Sequence, residues 1–120
     1  MANIMIVDDE PTIQQLMAII LEDMGHKVVA QSLNGEVAMK TYESLDPRPD
    51  LMIIDHRMPI MSGTDLAEKV LERNSDQRIL FLTADESVKE RVKELGIINF
   101  LEKPADIDTI RNAVESSLNA

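Results

Sequence analysis

Four places in the chain put reactive groups at the ends of apolar runs. Residues 4–11 read IMIVDDEP, an apolar run that stops in Asp8, Asp9 and Glu10 before Pro11. Residues 51–55, LMIID, end in Asp55, and residues 79–83, ILFLT, end in the hydroxyl of Thr83. A last run, 98–101, leads into Lys103-Pro104. Each residue alone has a plain reading: an Asp at a strand end serves as a turn residue or helix cap, and a lone Lys is solvated. Together they bring carboxylates, a hydroxyl and an ammonium to matching positions. Clustered carboxylates must either take up protons or bind a cation. The chain has no cysteine and no suitably placed histidine, so the donors are oxygens and a hard cation is expected. Mg²⁺ suits a few carboxylates that leave several waters in place and accept a phosphate oxygen as a further ligand. A carboxylate beside such a cation, a lysine and a hydroxyl can attack phosphorus and form an aspartyl phosphate, and Asp55 is the candidate nucleophile.

The elements that position these groups can be read from periodicity. Five short runs, 3–7, 27–31, 51–54, 79–82 and 98–101, are apolar at mostly consecutive positions, as in parallel strands covered on both faces. Helical patterns lie between them. After Pro11, residues Ile13, Leu16, Met17, Ile20, Leu21 and Met24 form one apolar face, ended by Gly25. Val37, Ala38, Tyr42 and Leu45 form a second face after Gly35, and Leu66, Val70 and Leu71 a third after Gly63. Val88, Val92 and Leu95 predict a fourth helix that stops at Gly96, and Ile107, Ile110, Val114 and Leu118 a fifth after Pro104. Such alternation predicts a doubly wound α/β fold, a (βα)5 parallel sheet of five strands in the flavodoxin-like order 2-1-3-4-5. In that order the first and third strands are neighbours, and their carboxyl ends form the crevice where ligands bind.

Composition narrows the function. A chain of 120 residues without a proline- or glycine-rich divide reads as one domain, 1–120, and the lack of cysteine excludes a disulfide framework. A net charge of −10 with no Lys/Arg cluster opposes direct nucleic-acid binding. No apolar run approaches the ~18 residues of a membrane span, and no secretory signal is visible, so a cytoplasmic location and no membrane association are expected. The four glycines form neither a dinucleotide fingerprint nor a P-loop.

The segments VDDEP (7–11), NGEVAM (34–39), DLMIIDHRMPIMSG (50–63), LTA (82–84) and GIINFLEKP (96–104) resemble response-regulator receiver domains of the single-domain, CheY-like kind, across the whole chain. The resemblance implies a switch in two-component or phosphorelay signalling, not an enzyme beyond its own phosphorylation and slow dephosphorylation. Asp55 is then the phosphoacceptor. Asp9, Asp55 and the main-chain carbonyl of Arg57 ligate Mg²⁺, with Asp8 acting mainly through water. Thr83 and Lys103 contact the phosphoryl oxygens. Phe100 takes the place of the family's rotating aromatic, coupled to Thr83, and Pro104 follows a peptide bond that is usually cis. Implied partners are a histidine kinase or phosphotransfer protein and a downstream protein target. That target would bind the surface of the fourth helix, fifth strand and fifth helix of a monomer or weak dimer with no output domain. Ile97 departs from the family, where a small residue commonly follows the glycine. Arg57 and Asp85 stand at positions that tune phosphoryl lifetime, and their opposite charges predict that they approach each other over the site.

Other readings are weaker. A Mg²⁺-dependent phosphatase with an Asp nucleophile needs a general acid two residues further on, where this chain has Arg57, and room for a cap. A receiver degenerated to a docking module would not keep Asp8, Asp9, Asp55, Thr83 and Lys103 together. His56 is expected at the solvent rim and His26 on the exposed surface.

Overall fold

In the computed structural model, which describes residues 1–97 and 99–119, five strands alternate with five helices. The strands are β1 (Asn3–Val7), β2 (Lys27–Ser32), β3 (Leu51–Asp55), β4 (Ile79–Thr83) and β5 (Asn99–Glu102). The helices are α1 (Pro11–Asp23), α2 (Gly35–Ser44), α3 (Gly63–Arg73), α4 (Lys89–Glu94) and α5 (Ile107–Asn119). All strand pairs are parallel, in the predicted order β2-β1-β3-β4-β5. Ile98, the first residue of the predicted fifth strand, lies outside the described residues.

Consecutive apolar residues are needed because successive side chains of a strand point to opposite faces. Met5, Val7, Met52, Ile54, Ile79 and Phe81 join α2, α3 and α4 in one core. Ile4, Ile6, Leu51, Ile53, Leu80 and Leu82 join α1 and α5 in the other. Both β3 and β4 run one residue further than the apolar pattern, so Asp55 and Thr83 are themselves the last strand residues. The side chains of Asn34, Ser62 and Asp106 accept backbone N–H groups at the starts of α2, α3 and α5.

Two helical expectations change. The predicted fourth helix divides into a one-turn 3₁₀ segment (Glu86–Val88) and the six-residue α4, with Val92 alone buried in α4. The Asp85 carboxylate accepts the Ser87 N–H at 2.9 Å and closes that tight turn. On α1, Met17, Ile20 and Leu21 are buried, but Leu16 remains 43% exposed.

The amino edge of the sheet is closed by paired polar groups. The Tyr42 hydroxyl donates to Gln77 Oε1 at 2.7 Å, and Gln77 Nε2 donates to the Pro49 carbonyl at 3.0 Å. The Asn3 N–H meets Asp50 Oδ2 at 2.7 Å. His26, expected on the exposed surface, is half-buried because its Nδ1 accepts the Ala2 N–H at 3.1 Å.

Candidate functional site

At the carboxyl edge, parallel register brings the predicted residues to one place. Ile54 is beside Val7, Asp55 beside Leu82, and Thr83 beside Glu102. Asp8, Asp55 and Thr83 are buried, at 1%, 5% and 2% exposure, while Asp9 is exposed. Lys103 reaches in from beyond β5, with Nζ 2.9 Å from Asp55 Oδ1 and 3.3 Å from Asp8 Oδ2. Its N–H donates to the Thr83 carbonyl at 3.0 Å, and the following Lys103–Pro104 peptide is cis. A cleft of about 380 Å³ is lined by Asp9, Glu10, Asp55, Arg57, Thr83 and Lys103. A larger groove of about 520 Å³, between α4 and β5, is lined among the described residues by Lys89, Val92, Lys93, Ile97 and Phe100, with no carboxylate or hydroxyl.

The electrostatics follow from burial. Burial pushes the Asp55 carboxyl above its ordinary range, and Asp8 and Asp9 push it the same way; the Lys103 ammonium opposes them without cancelling the rise. Burial pulls the Lys103 ammonium down, but its bonds to Asp55 and Asp8 outweigh that and leave it raised. One lysine therefore serves two buried acids.

Carboxylate oxygens of Asp8, Asp9 and Glu10 lie within 4.8 Å of one another. The all-oxygen donor set fits a hard divalent cation. Glu10, absent from the ligand set expected from the sequence, joins the cluster, and Lys103 pairs with Asp55 as well as with Asp8. The sequence marks Gly63 only as a helix start. A Cβ there would stand 2.3 Å from the Asp55 carbonyl and 2.7 Å from His56 Cα, so α3 can pack against the end of β3 only through glycine. Nothing in a lone glycine discloses such an approach.

The family model described as the response regulator receiver domain matches residues 4–115. The chain belongs to that family. The receiver domain is 32% identical to sporulation initiation phosphotransferase F of Bacillus subtilis, over 97% of this chain and 93% of that protein. It is 30% identical to the chemotaxis protein CheY of the same organism, over 98% of each. It spans only 46% of a positive alginate biosynthesis regulatory protein of Pseudomonas aeruginosa, at 29% identity over 96% of this chain. Among solved structures, the CheX–CheY–BeF3–Mg²⁺ complex from Borrelia burgdorferi matches with a TM-score of 0.86 and 27% identity, over 95% of this chain and 87% of that one. A receiver domain is a signalling switch of two-component systems, not an enzyme in the ordinary sense.

The remaining predicted residues of this receiver domain lie around the cleft. The Thr83 hydroxyl accepts the Asp85 N–H at 2.9 Å. Phe100 is half-buried, its ring 6.3 Å from that of Phe81, and Lys89 Nζ sits 5.5 Å above it while pairing with Glu102. Arg57 and Asp85 do not form the expected pair among the described residues. Ser87 donates to Asp85 through its N–H and, at 2.6 Å, its hydroxyl; these bonds are the main reason the carboxyl is lowered, with Arg57 contributing only longer-range attraction. His56 is half-buried, its ring 6.1 Å from Phe81 and its Nδ1 enclosed without a partner. No helix among the described residues is long and apolar enough to cross a membrane.

Proposed function

We propose that this receiver domain accepts a phosphoryl group on Asp55 from a phosphohistidine and thereby changes its affinity for a partner protein. The observation that carries the reading is Asp55 itself. It is the buried last residue of β3, with one oxygen 2.9 Å from Lys103 Nζ and a shared cleft with Asp9 and Thr83. In the proposed step an Asp55 oxygen attacks phosphorus, the phosphorus–nitrogen bond breaks, and the neutral imidazole of the donor leaves once protonated. Lys103 neutralises charge on the transferred group, and its second bond, to Asp8, keeps the ammonium over the site. The Thr83 oxygen already accepts one N–H, so its single proton is free to reach a phosphoryl oxygen. Asp9, Asp55 and the Arg57 carbonyl, with Asp8 through water and Glu10 nearby, would hold Mg²⁺, which supplies charge to orient and neutralise the phosphoryl oxygens.

Two surfaces support the partner reading. An apolar cleft of about 390 Å³, with Ile13, Leu16, Met17, Pro104 and Ala105 in its walls, shares Glu10 and Lys103 with the acidic cleft. It offers a phosphodonor, a histidine kinase or phosphotransfer protein, a place to dock beside Asp55. On the other side, Phe100 of β5 lies beside Phe81 of β4, the strand that ends in Thr83, and under Lys89 of α4; α4, β5 and α5 are the proposed output surface. The test is incubation of the protein with a small phosphodonor and Mg²⁺. One phosphoryl mass should be added, and Asp55→Asn should remove it. Label that persists on the variant would overturn the assignment.

A further inference from the structure

We infer that Gln14 is a positioning residue for the acidic site: its buried amide ties the ends of β1 and β2 together behind Asp8, and so sets how firmly the carboxylate cluster holds a divalent cation. The inference rests on the reading of that cluster proposed above. Gln14 lies on the buried side of α1 and is 4% exposed. Its Nε2 stands 2.8 Å from the Ser32 carbonyl, 3.2 Å from that of Asp8 and 3.3 Å from that of Ile6. Three carbonyls around one amide nitrogen fix the orientation of the side chain, because the turned-over amide would set Oε1 against three acceptors.

The consequence falls on Asp8. Its carbonyl accepts from Gln14, while its N–H donates at 3.1 Å to the same Ser32 carbonyl that Gln14 holds. Its Oδ1 accepts the Glu10 N–H at 3.0 Å, and its Oδ2 faces Lys103. The peptide units on both sides of Asp8 are thus held, and the turn that carries Asp9 and Glu10 starts from a fixed point. A second amide secures the helix: Gln31 Nε2 donates to the Gln14 carbonyl at 3.3 Å. Gln14 Oε1 is enclosed without a partner, as is the Ser32 hydroxyl. An apolar residue would avoid that cost if the position served only the core. What offsets it is the grip of Nε2 on two strand ends. Repulsion among the acids pushes this turn apart, so its backbone is where such a grip is needed.

Gln14→Met tests the inference, since Met keeps the length and flexibility of Gln and removes both donors; Gln14→Arg restores donors and carries no acceptor to leave unpaired. In metal-free protein, hydrogen exchange at the Asp8 amide should quicken about tenfold in Gln14→Met relative to core amides of β3 and β4. Mg²⁺ affinity should fall about fivefold, as for loss of one net hydrogen bond. The phosphorylation rate at saturating Mg²⁺ should stay within about twofold of the parent, and Gln14→Arg should recover both exchange and affinity. In the unaltered protein, Mg²⁺ should shift the side-chain amide resonances of Gln14 and leave those of Gln77, a buried amide at the far edge, in place; this measurement decides if Gln14→Met does not fold. Parental exchange at Asp8, parental Mg²⁺ affinity, or resonances that ignore Mg²⁺ would overturn the inference alone. A parent protein that does not bind Mg²⁺ would overturn the reading of the site as well.

Discussion

The two edges of the sheet handle buried polar groups in opposite ways. At the amino edge, Tyr42, Gln77 and Pro49 form a closed chain of hydrogen bonds, Asp50 accepts the first N–H of β1, and His26 accepts the N–H of Ala2 just before it. At the carboxyl edge, Asp8 and Asp55 share one lysine, and burial holds the Asp55 carboxyl above its ordinary range. Satisfied groups at one edge stabilise the fold and have little left to offer a ligand. Under-satisfied acids at the other cost stability and are poised to take a cation and a phosphoryl group. Polar residues of similar type thus serve structure where every donor meets an acceptor, and reactivity where charge is left over.

The sharpest break between the edges is chemical. Asp55→Asn should abolish acyl-phosphate formation, read by intact mass, whereas Tyr42→Phe should leave it unchanged. Equal loss in both would mean that the edges are not separable. Next in size, Tyr42→Phe should destabilise the fold by about 1–3 kcal/mol in urea melts, because Gln77 Oε1 loses its donor while buried. A neutral result would show that the amino edge relaxes or admits water.

Mg²⁺ at ten times its dissociation constant should stabilise the parent by about 1.4 kcal/mol. Asp9→Ala should lose most of that response, and an unchanged melting shift would remove Asp9 from the ligands.

A smaller, pH-dependent effect follows from the raised Asp55 carboxyl. A folded-state value above the reference 3.8 means that the native state binds more protons than the unfolded chain in that window. Stability contributed by this group therefore falls as pH rises from 3.8 through the folded value. Without Mg²⁺, Asp55→Asn should gain on the parent as pH climbs through that window and keep the gain at neutral pH. Lys103 has the usual sign for a paired base: its contribution is full below 10.5 and lost as pH rises through its higher folded value. Urea melts of both proteins across acid pH check the first claim; a gain that shrinks as pH rises would contradict it.

The smallest effect is expected from Arg57 and Asp85. Because Asp85 is engaged by Ser87, Arg57→Ala and Asp85→Ala should change phosphate release additively, each by no more than about threefold. A strong non-additive effect would reveal a pair that forms only over the phosphoryl group.

Much of this was legible in the chain. Parallel strands buried on both faces must be apolar at consecutive positions, so the runs around Ile53 and Leu80 marked both the strands and, at their ends, Asp55 and Thr83. Other features were hidden because they depend on approach rather than type. Gly63 looks like any helix-starting glycine until the Asp55 carbonyl lies 2.3 Å from where its Cβ would be. Gln14 reads as a polar interruption of an amphipathic helix until three strand-end carbonyls surround its nitrogen. The neighbours of His56 and Asp85 are hidden for the same reason: whether a loop side chain turns toward Phe81 or closes on Ser87 is settled by neighbours that the sequence does not rank.

By itself, the sequence determined the alternation of strands and helices, the parallel sheet and the types of group at its carboxyl edge. Hydrophobic periodicity and turn chemistry are local properties, and right-handed crossovers leave few ways to join the elements. Only the tertiary structure decided that one ammonium would serve both Asp8 and Asp55, that Asp85 would close a turn instead of meeting Arg57, and that Gln14 would grip two strands. Those outcomes depend on distances of about 3 Å between residues remote in the chain, and hydrogen bonding falls away so steeply with distance and angle that only the packed fold can choose among the partners available.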